Sequence, residues 1–520
     1  MSTKTILQLN GPEACDFFLE NKNYFNFDLP EYFNFEPLLK EVSEKLGRYD
    51  INYFFAKNVD NKTIYPKDQY GVNLKVMGNK DGEFAWRPYE LINPVLYVSL
   101  VHLLTKEENW NQILNRFTTL KSKQIEVASI PTLRSKKKSA KAEQIKAWWE
   151  KFEQNCTAQG LDYQYVFETD VSDCYSSFYT HSISWALYGK EAAYENRSVS
   201  NLGKKIDEHY QMMHHRQTNG IPQGCVLSDF IAEFIFCYAD SLLIEKIRGI
   251  DGIKDSDYKI IRYRDDYRIF TNRTDVGSRI LKELTEILAP FGLKLNSQKT
   301  KRSDDIILSS IKKDKIDELF VPNIKKERDN FAKWLIQIYA TTLKHPNSGK
   351  TSRQLSAFHM ELLEYLDSNH CLRHYEKAEV MLSVIVNIAI KNPKYYNMAM
   401  AVASLLIRAA QPSVRGLLVE KILGRFDNVA NTGLLDLWMQ RVSYSIDPLH
   451  TFNEPLTLVV NEDDYSDNSN VWNIDWLKKS MRDIVRDTKL VDVSYLKLIR
   501  EQQQIAISRK EIDLFMDIPS

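Results

Sequence analysis

Apolar and polar positions alternate around residues 261–270: Ile261 and Tyr263 lead in, Tyr267, Ile269 and Phe270 lead out, and arginines fill the places between. This period of two predicts an antiparallel hairpin whose turn carries Asp265 and Asp266. A second β-rich run, Tyr165 to Phe167, ends in Asp170, after which the chain turns towards a helix expected near Ser176 or Ser177. Between the two lies Gly220-Ile221-Pro222-Gln223-Gly224-Cys225-Val226-Leu227-Ser228, a loop opening into an apolar helix from Phe230 to Ile244. Past the aspartate pair come a helix from Ser278 to Leu288 and the segment Phe291 to Thr300.

Beyond about residue 320 the texture becomes almost wholly helical. Phe331 to Leu343, Arg353 to Leu366, Arg373 to Ile390, Tyr395 to Ala410, Val414 to Leu423 and Thr432 to Tyr444 each show helical spacing between short Asn, Pro or Gly breaks. Successive helices on short turns suggest a solenoid of HEAT-like pairs, without a clean sequence repeat. A polar acidic loop spans Asn461 to Asn470, and amphipathic helix is expected to return over Trp472 to Val485 and Tyr495 to Ile507. The pattern predicts an α+β fold followed by an all-α region, divided at 1–165, 166–320 and 321–520.

Two adjacent aspartates at a strand turn are, by themselves, an ordinary solvated turn. A second carboxylate at the end of another strand changes that reading. Two-metal phosphoryl transfer needs carboxylates from separate strands to hold divalent ions roughly 3.5 to 4 Å apart. Asp170 and Asp265 meet that need, with Asp266 beside them. Magnesium, a hard cation that prefers carboxylate and phosphate oxygens, is the expected metal, as two ions.

The ordered set Asp170-Val171-Ser172-Asp173-Cys174-Tyr175, Ile221-Pro222-Gln223-Gly224, Tyr263-Arg264-Asp265-Asp266 and Gly292-Leu293-Lys294-Leu295-Asn296 through Lys299-Thr300 resembles motifs A to D of reverse transcriptases. Two further stretches, Arg87-Pro88-Tyr89-Glu90-Leu91 and Tyr179 to Leu187, resemble the bacterial abortive-infection and defence-associated members, the unknown-group reverse transcriptases. The resemblance covers roughly residues 24–305. It implies right-hand polymerase fingers and palm followed by a helical-repeat domain, and DNA synthesis from dNTPs in antiphage defence. It also implies Asp170, Val171, Asp265 and Asp266 as metal ligands, and Asp173, Gln223 and Gly224 against the incoming nucleotide. Tyr175 matches the aromatic gate that a ribose 2′-hydroxyl would strike; a packing tyrosine is the plainer alternative. Lys299 matches the acid that protonates leaving pyrophosphate; a surface lysine is its plainer alternative. The family includes members that copy a partner noncoding RNA and members that extend a protein hydroxyl without a template. Its implied products and partners are therefore single-stranded DNA, covalently attached or not, a noncoding RNA, and a homo-oligomeric ring.

Arg264 departs from the pattern, since that position is usually small or apolar and faces the primer terminus. A long cation there would bind a phosphate or carboxylate, obstruct an ordinary primer, or point outward from a strand edge.

Composition bounds these expectations. With 43% hydrophobic and 12% aromatic residues, 520 residues can bury a sizeable core in two or three domains. Formal net charge is zero, so a nucleic-acid surface must be a local patch. Arg134, Lys136, Lys137, Lys138 and Lys141 form the first basic run, either a solvated loop or a contact for triphosphate or nucleic acid. Arg302, Lys312, Lys313, Lys315, Lys325, Lys326 and Arg328 form a second. The six cysteines show no CxxC spacing, which argues against zinc and a disulfide framework. Without a signal-like opening or a long apolar span, the expected protein is soluble, cytoplasmic and free of membrane.

Overall fold

The computed structural model of the chain describes residues 4–47, 49–133, 148–195, 199–320, 330–368, 378–461 and 467–512. Its N-terminal region is helical, with α1 (Gly11–Leu19), α2 (Glu36–Leu46), α3 (Pro94–Thr105) and α4 (Glu107–Leu120). Helix α1 starts where Asn10 accepts from the Glu13 N–H at 2.9 Å while Glu13 reaches back to the Asn10 N–H at 3.1 Å, a reciprocal cap. Helix α3 is apolar nearly all round and is accordingly buried, packed on α1 and α2. A separate two-stranded ribbon, β1 (Leu74–Asn79) and β2 (Trp86–Leu91), interrupts this helical region.

The central layer is a five-stranded sheet of β3 (Ile125–Val127), β4 (Tyr165–Asp170), β5 (Tyr258–Tyr263), β6 (Asp266–Thr271) and β7 (Lys301–Ser303), in the order β3-β5-β6-β4-β7. Strands β5 and β6 form the expected hairpin, and β4 lies antiparallel on the far side of β6. Helices α5 (Cys174–Ser177), α6 (Leu202–Met213), α7 (Val226–Arg248) and α8 (Thr274–Leu288) are among those that accompany the sheet. Helix α7 outruns its expected limits at both ends: Cys225 caps its start, its Sγ accepting from the Ser228 N–H at 3.4 Å, and the Gly249 N–H closes its end on the Glu245 carbonyl at 3.3 Å. Helix α8 approaches the sheet closely because Gly277 lies on Phe167: a Cβ there would stand 2.1 Å from the ring. The α+β architecture expected from the sequence is the one adopted.

Helices α9 (Phe331–Lys344), α10 (Gly349–Ser368), α11 (Ala378–Lys391), α12 (Tyr396–Ala409), α13 (Arg415–Phe426) and α14 (Gly433–Ser443) build a second core, as the apolar spacing predicted. Helix α12 is its centre, buried on nearly every face and packed against α10, α11 and α14.

One expectation fails beyond residue 455. Of Trp472 to Val485 only α15 (Lys479–Asp487) is helical, and α16 (Val493–Glu501) stops short of Ile507. Trp472, Ile474 and Trp476 are all buried, as are Ile505 and Ile507. Their spacing of two suits a chain pressed against a core better than a helix. The buried residues of this last stretch divide between the two cores. Leu456, Trp472, Trp476, Leu490 and Leu496 belong to the first core, not the second. Trp472 Nε1 donates to the Leu91 carbonyl at 3.0 Å, and Leu490 accepts from the Asn34 N–H at 2.8 Å. Ile505, Ile507 and Ile512 then return to the helical core, where Arg441 and Glu511 pair at 2.8 Å with both side chains fully buried. Among the described residues no helix is long and apolar enough to cross a membrane.

Candidate active site

The register of the sheet brings the sequence-predicted carboxylates together. Asp170 ends β4 directly opposite Asp266, which opens β6, while Arg264 and Asp265 make the hairpin turn. The Val171 N–H donates to the Asp265 carbonyl at 3.0 Å, tying the end of β4 to that turn. The segment after α8 crosses the same point: Asn296 N–H donates to the Asp170 carbonyl at 2.8 Å and Ser172 N–H to the Lys294 carbonyl at 2.9 Å. Lys299 is thereby placed with its Nζ 2.6 Å from Asp170 Oδ2.

Charge at this site is under-compensated. Asp170 Oδ1 is buried with no hydrogen-bond partner among the described residues. Burial pushes the Asp266 carboxyl up to about 6, opposed by Arg268 and reinforced by Asp265 and Asp170. Burial likewise raises Asp265, with Asp170 adding to the shift. The ammonium of Lys299 is held above the ordinary lysine value: burial opposes this, and the Asp170 bond together with the charges of Asp170, Asp266 and Asp265 outweighs it. Among the described residues no three His, Cys, Asp or Glu side chains already converge as a metal cluster, and Lys299 supplies the positive charge at Asp170. The donor set nonetheless fits a hard divalent cation, because an orphaned buried carboxylate oxygen and mutually destabilised neighbouring carboxylates are relieved by a dication. Asp170, Asp265 and Asp266 would hold it, with the carbonyl of Val171 beside them.

The remaining motif residues are each held by bonds of their own. Tyr175 is half-buried, and its hydroxyl donates to Asp229 Oδ1 at 2.5 Å. Asp173 adopts φ +43°, in the left-handed region an aspartate tolerates, and stands at the start of α5 without a side-chain cap, its exposed carboxylate meeting Lys80 Nζ at 3.5 Å. The Gln223-Gly224 loop is sewn down on two sides: Glu90 N–H donates to the Gln223 carbonyl at 2.7 Å and Asn26 N–H to the Gly224 carbonyl at 2.7 Å. Gly224 has φ +134°, and a Cβ would stand 3.2 Å from Phe27, so conformation and space both call for glycine. The Arg87-Pro88-Tyr89-Glu90-Leu91 stretch is β2 itself, which explains its nearness to the loop.

Arg264 takes φ +55°, a conformation that costs a non-glycine residue roughly 1–2 kcal/mol. Three bonds hold it there. Its N–H donates to Ser129 Oγ at 2.8 Å, its carbonyl accepts from Arg262 Nη1 at 3.0 Å, and its guanidinium meets Asp229 Oδ2 at 2.7 Å. Of the open readings for this arginine, the structure displays a carboxylate partner.

That partner belongs to a set the sequence reading passed over. Asp229, Glu233 and Asp240 project from α7, all buried. Arg262, itself fully buried, pairs with Asp240 at 2.9 Å and Glu233 at 3.0 Å, and the Tyr267 hydroxyl donates to Asp240 at 2.9 Å. A signal existed: three acids at spacings of four and seven in an otherwise apolar helix, against arginines at alternate strand positions. Arg134 with the rest of the first basic run, Lys325, Lys326, Arg328 and Tyr465 lie outside the described residues. In the second basic run Lys315 is spent on Glu153 at 2.8 Å.

Comparison with known proteins agrees with the geometry. Residues 109–325 match the reverse transcriptase (RNA-dependent DNA polymerase) family. No curated protein matches the chain. Among solved structures, apo telomerase from Candida tropicalis shares 12% identity over 77% of this chain and 74% of that one, at a TM-score of 0.31. Telomerase from Candida albicans with a fragment of telomeric RNA shares 12% over 78% and 69%, at 0.28. The family match spans the sheet and every motif residue from Asp170 to Lys299: the protein carries a reverse transcriptase domain, the domain of RNA-directed DNA polymerases, and is a nucleotidyltransferase.

Proposed function

We propose that this protein makes single-stranded DNA from dNTPs in bacterial antiphage defence, by magnesium-dependent nucleotidyl transfer at Asp170, Asp265 and Asp266. The observation that carries the chemistry is the register that sets Asp170 against Asp266 with Asp265 in the adjoining turn. Two bound magnesium ions supply the chemistry of deprotonating the attacking hydroxyl and neutralising the leaving group. The chain's own groups supply the rest. Lys299, kept protonated beside Asp170, delivers a proton to departing pyrophosphate. Tyr175 presents its ring under the incoming sugar and excludes a ribose hydroxyl, while Gln223 lies against the base and sugar, Gly224 leaves space for it and Asp173 borders the incoming nucleotide. The defence role rests on the likeness of Arg87 to Leu91 and Tyr179 to Leu187 to the defence-associated enzymes. The protein acts in the cytoplasm as a homo-oligomer.

In this reading synthesis is protein-primed and untemplated, with a tyrosine hydroxyl standing in for a primer terminus. Tyr175 does not serve, because its hydroxyl is committed to Asp229. A second reading, synthesis templated by a partner noncoding RNA, is favoured by one observation: Arg264 is drawn onto Asp229, which weakens the argument that it blocks an ordinary duplex. Incubating the purified protein with magnesium and dNTPs, then treating with protease or RNase, separates the two. Nascent DNA whose gel mobility ignores protease has no covalent link to protein, and an RNase-sensitive reaction with one defined product sequence establishes the template.

A further inference from the structure

Asp229 is the meeting point of four segments. It sits in the first turn of α7, side chain only 7% exposed. Its Oδ1 takes the Tyr175 hydroxyl at 2.5 Å, and its Oδ2 takes both the Arg264 guanidinium at 2.7 Å and Asn26 Nδ2 at 3.2 Å. The Tyr175 hydroxyl is therefore committed within the fold, and so is the Nη2 of Arg264. The carboxylate instead couples the ring position to the turn that carries Asp265. A tyrosine has two side-chain torsions, and one bond from its hydroxyl to a buried, backbone-anchored acceptor fixes the far end of the ring. A buried carboxylate in turn needs a counterion, which Arg264 provides from a strained turn.

We infer that Asp229 is a positioning residue that sets sugar selectivity by fixing the ring of Tyr175, with Arg264 as its obligatory counterion. The inference rests on the reading of Tyr175 as the sugar gate. It gives the unusual arginine beside the metal aspartates a role without any contact to primer or template. It also predicts a distinction that simple shape does not: a phenylalanine at 175 keeps the ring yet loses its anchor.

The test is the ratio of kcat/KM for a dNTP to that for the matching NTP, in the full-length protein, for Tyr175→Ala, Tyr175→Phe, Asp229→Asn and the Tyr175→Phe/Asp229→Asn double variant. Circular dichroism melting of each variant controls for folding. Tyr175→Ala should lower the ratio most. Tyr175→Phe and Asp229→Asn should each lower it on the order of tenfold, the size of one charge-assisted hydrogen bond. The double variant should fall no further than Tyr175→Phe alone, because both changes cut one link. If Asp229→Asn is poorly folded, Tyr175→Phe carries the test, since it alters nothing but the hydroxyl. An unchanged ratio in Tyr175→Ala overturns the gate and this inference together. A changed ratio in Tyr175→Ala with unchanged ratios in both Tyr175→Phe and Asp229→Asn overturns this inference alone, and so does full additivity in the double variant.

Discussion

The β5–β6 hairpin separates two groups of three carboxylates that are treated in opposite ways. On the α7 side, Asp229, Glu233 and Asp240 each face a guanidinium, and two of them also accept a tyrosine hydroxyl. On the other side, Asp170, Asp265 and Asp266 share one lysine, and a buried oxygen of Asp170 has no partner among the described residues. Acids that serve stability are paired within the fold. Acids left short of positive charge mark the place where a ligand must bring it. The contrast also explains how a strained arginine turn persists next to a reactive site: the paired side over-determines the hairpin from below.

Breaking the unpaired side should give the largest effect. Asp265→Asn or Asp170→Asn should reduce magnesium-dependent DNA synthesis by about 10³-fold or more, the scale of losing an essential catalytic group. Melting temperature should be unchanged or slightly raised, because each substitution relieves repulsion among Asp170, Asp265 and Asp266. Incorporation of labelled dNTP at wild-type rate by either folded variant would remove these residues from the active site, and chelation of the metal should silence the wild type.

Breaking the paired side should act on stability instead. Arg262→Ala leaves Asp240 and Glu233 buried without their counterion, a loss of about 3–5 kcal/mol by the usual behaviour of broken buried pairs. Urea titration followed by circular dichroism measures it. A midpoint within error of wild type would show that the triad under the hairpin contributes nothing.

Lys299 stands between the two behaviours. Its side chain is 67% exposed, so Lys299→Ala should leave stability nearly untouched. Removal of a general acid should cost roughly 10²-fold in kcat, and the alkaline limb of the pH–rate profile should disappear with it. A purely structural lysine would leave that limb in place.

The legible part of the site was the part built on one strand pairing. Tyr165 to Asp170 is a β-rich run and Ile261 to Phe270 carries a period of two, and aspartates at the ends of two such runs are enough to point to metal chemistry. What was missed depends on pairing between elements distant in sequence. Asp229 meets Tyr175 and Arg264 across 54 and 35 positions, and nothing local to any of the three announces the contact. The helical region shows the same limit. Apolar spacing located α9 to α14 to within a few residues, yet it did not reveal that Trp472 and Trp476 return to the first core. Spacing reports which faces are buried, not which core buries them.

The smallest effect concerns protons. The Asp266 carboxyl, raised to about 6 by burial and its acidic neighbours, binds a proton in the folded state at pH values where the unfolded chain has already lost it. Between about pH 4 and pH 6 the folded state thus carries more protons, and stability from this group falls as pH rises through that window. Without metal, the protein should lose roughly 1–2 kcal/mol from this source on going from pH 4.5 to pH 7. Glu454, raised by burial to about 7, and Asp436, raised by burial to about 6, titrate in the same direction, so the absolute slope belongs to several groups. The difference between wild type and Asp266→Asn isolates one of them. In chelator, the Asn variant should melt with the shallower pH dependence; with saturating magnesium the two slopes should converge, because bound cations keep the carboxylate ionised in the folded state. Identical slopes in chelator would mean that Asp266 is already compensated within the fold, and the hairpin's two sides would then differ less than their pairing indicates.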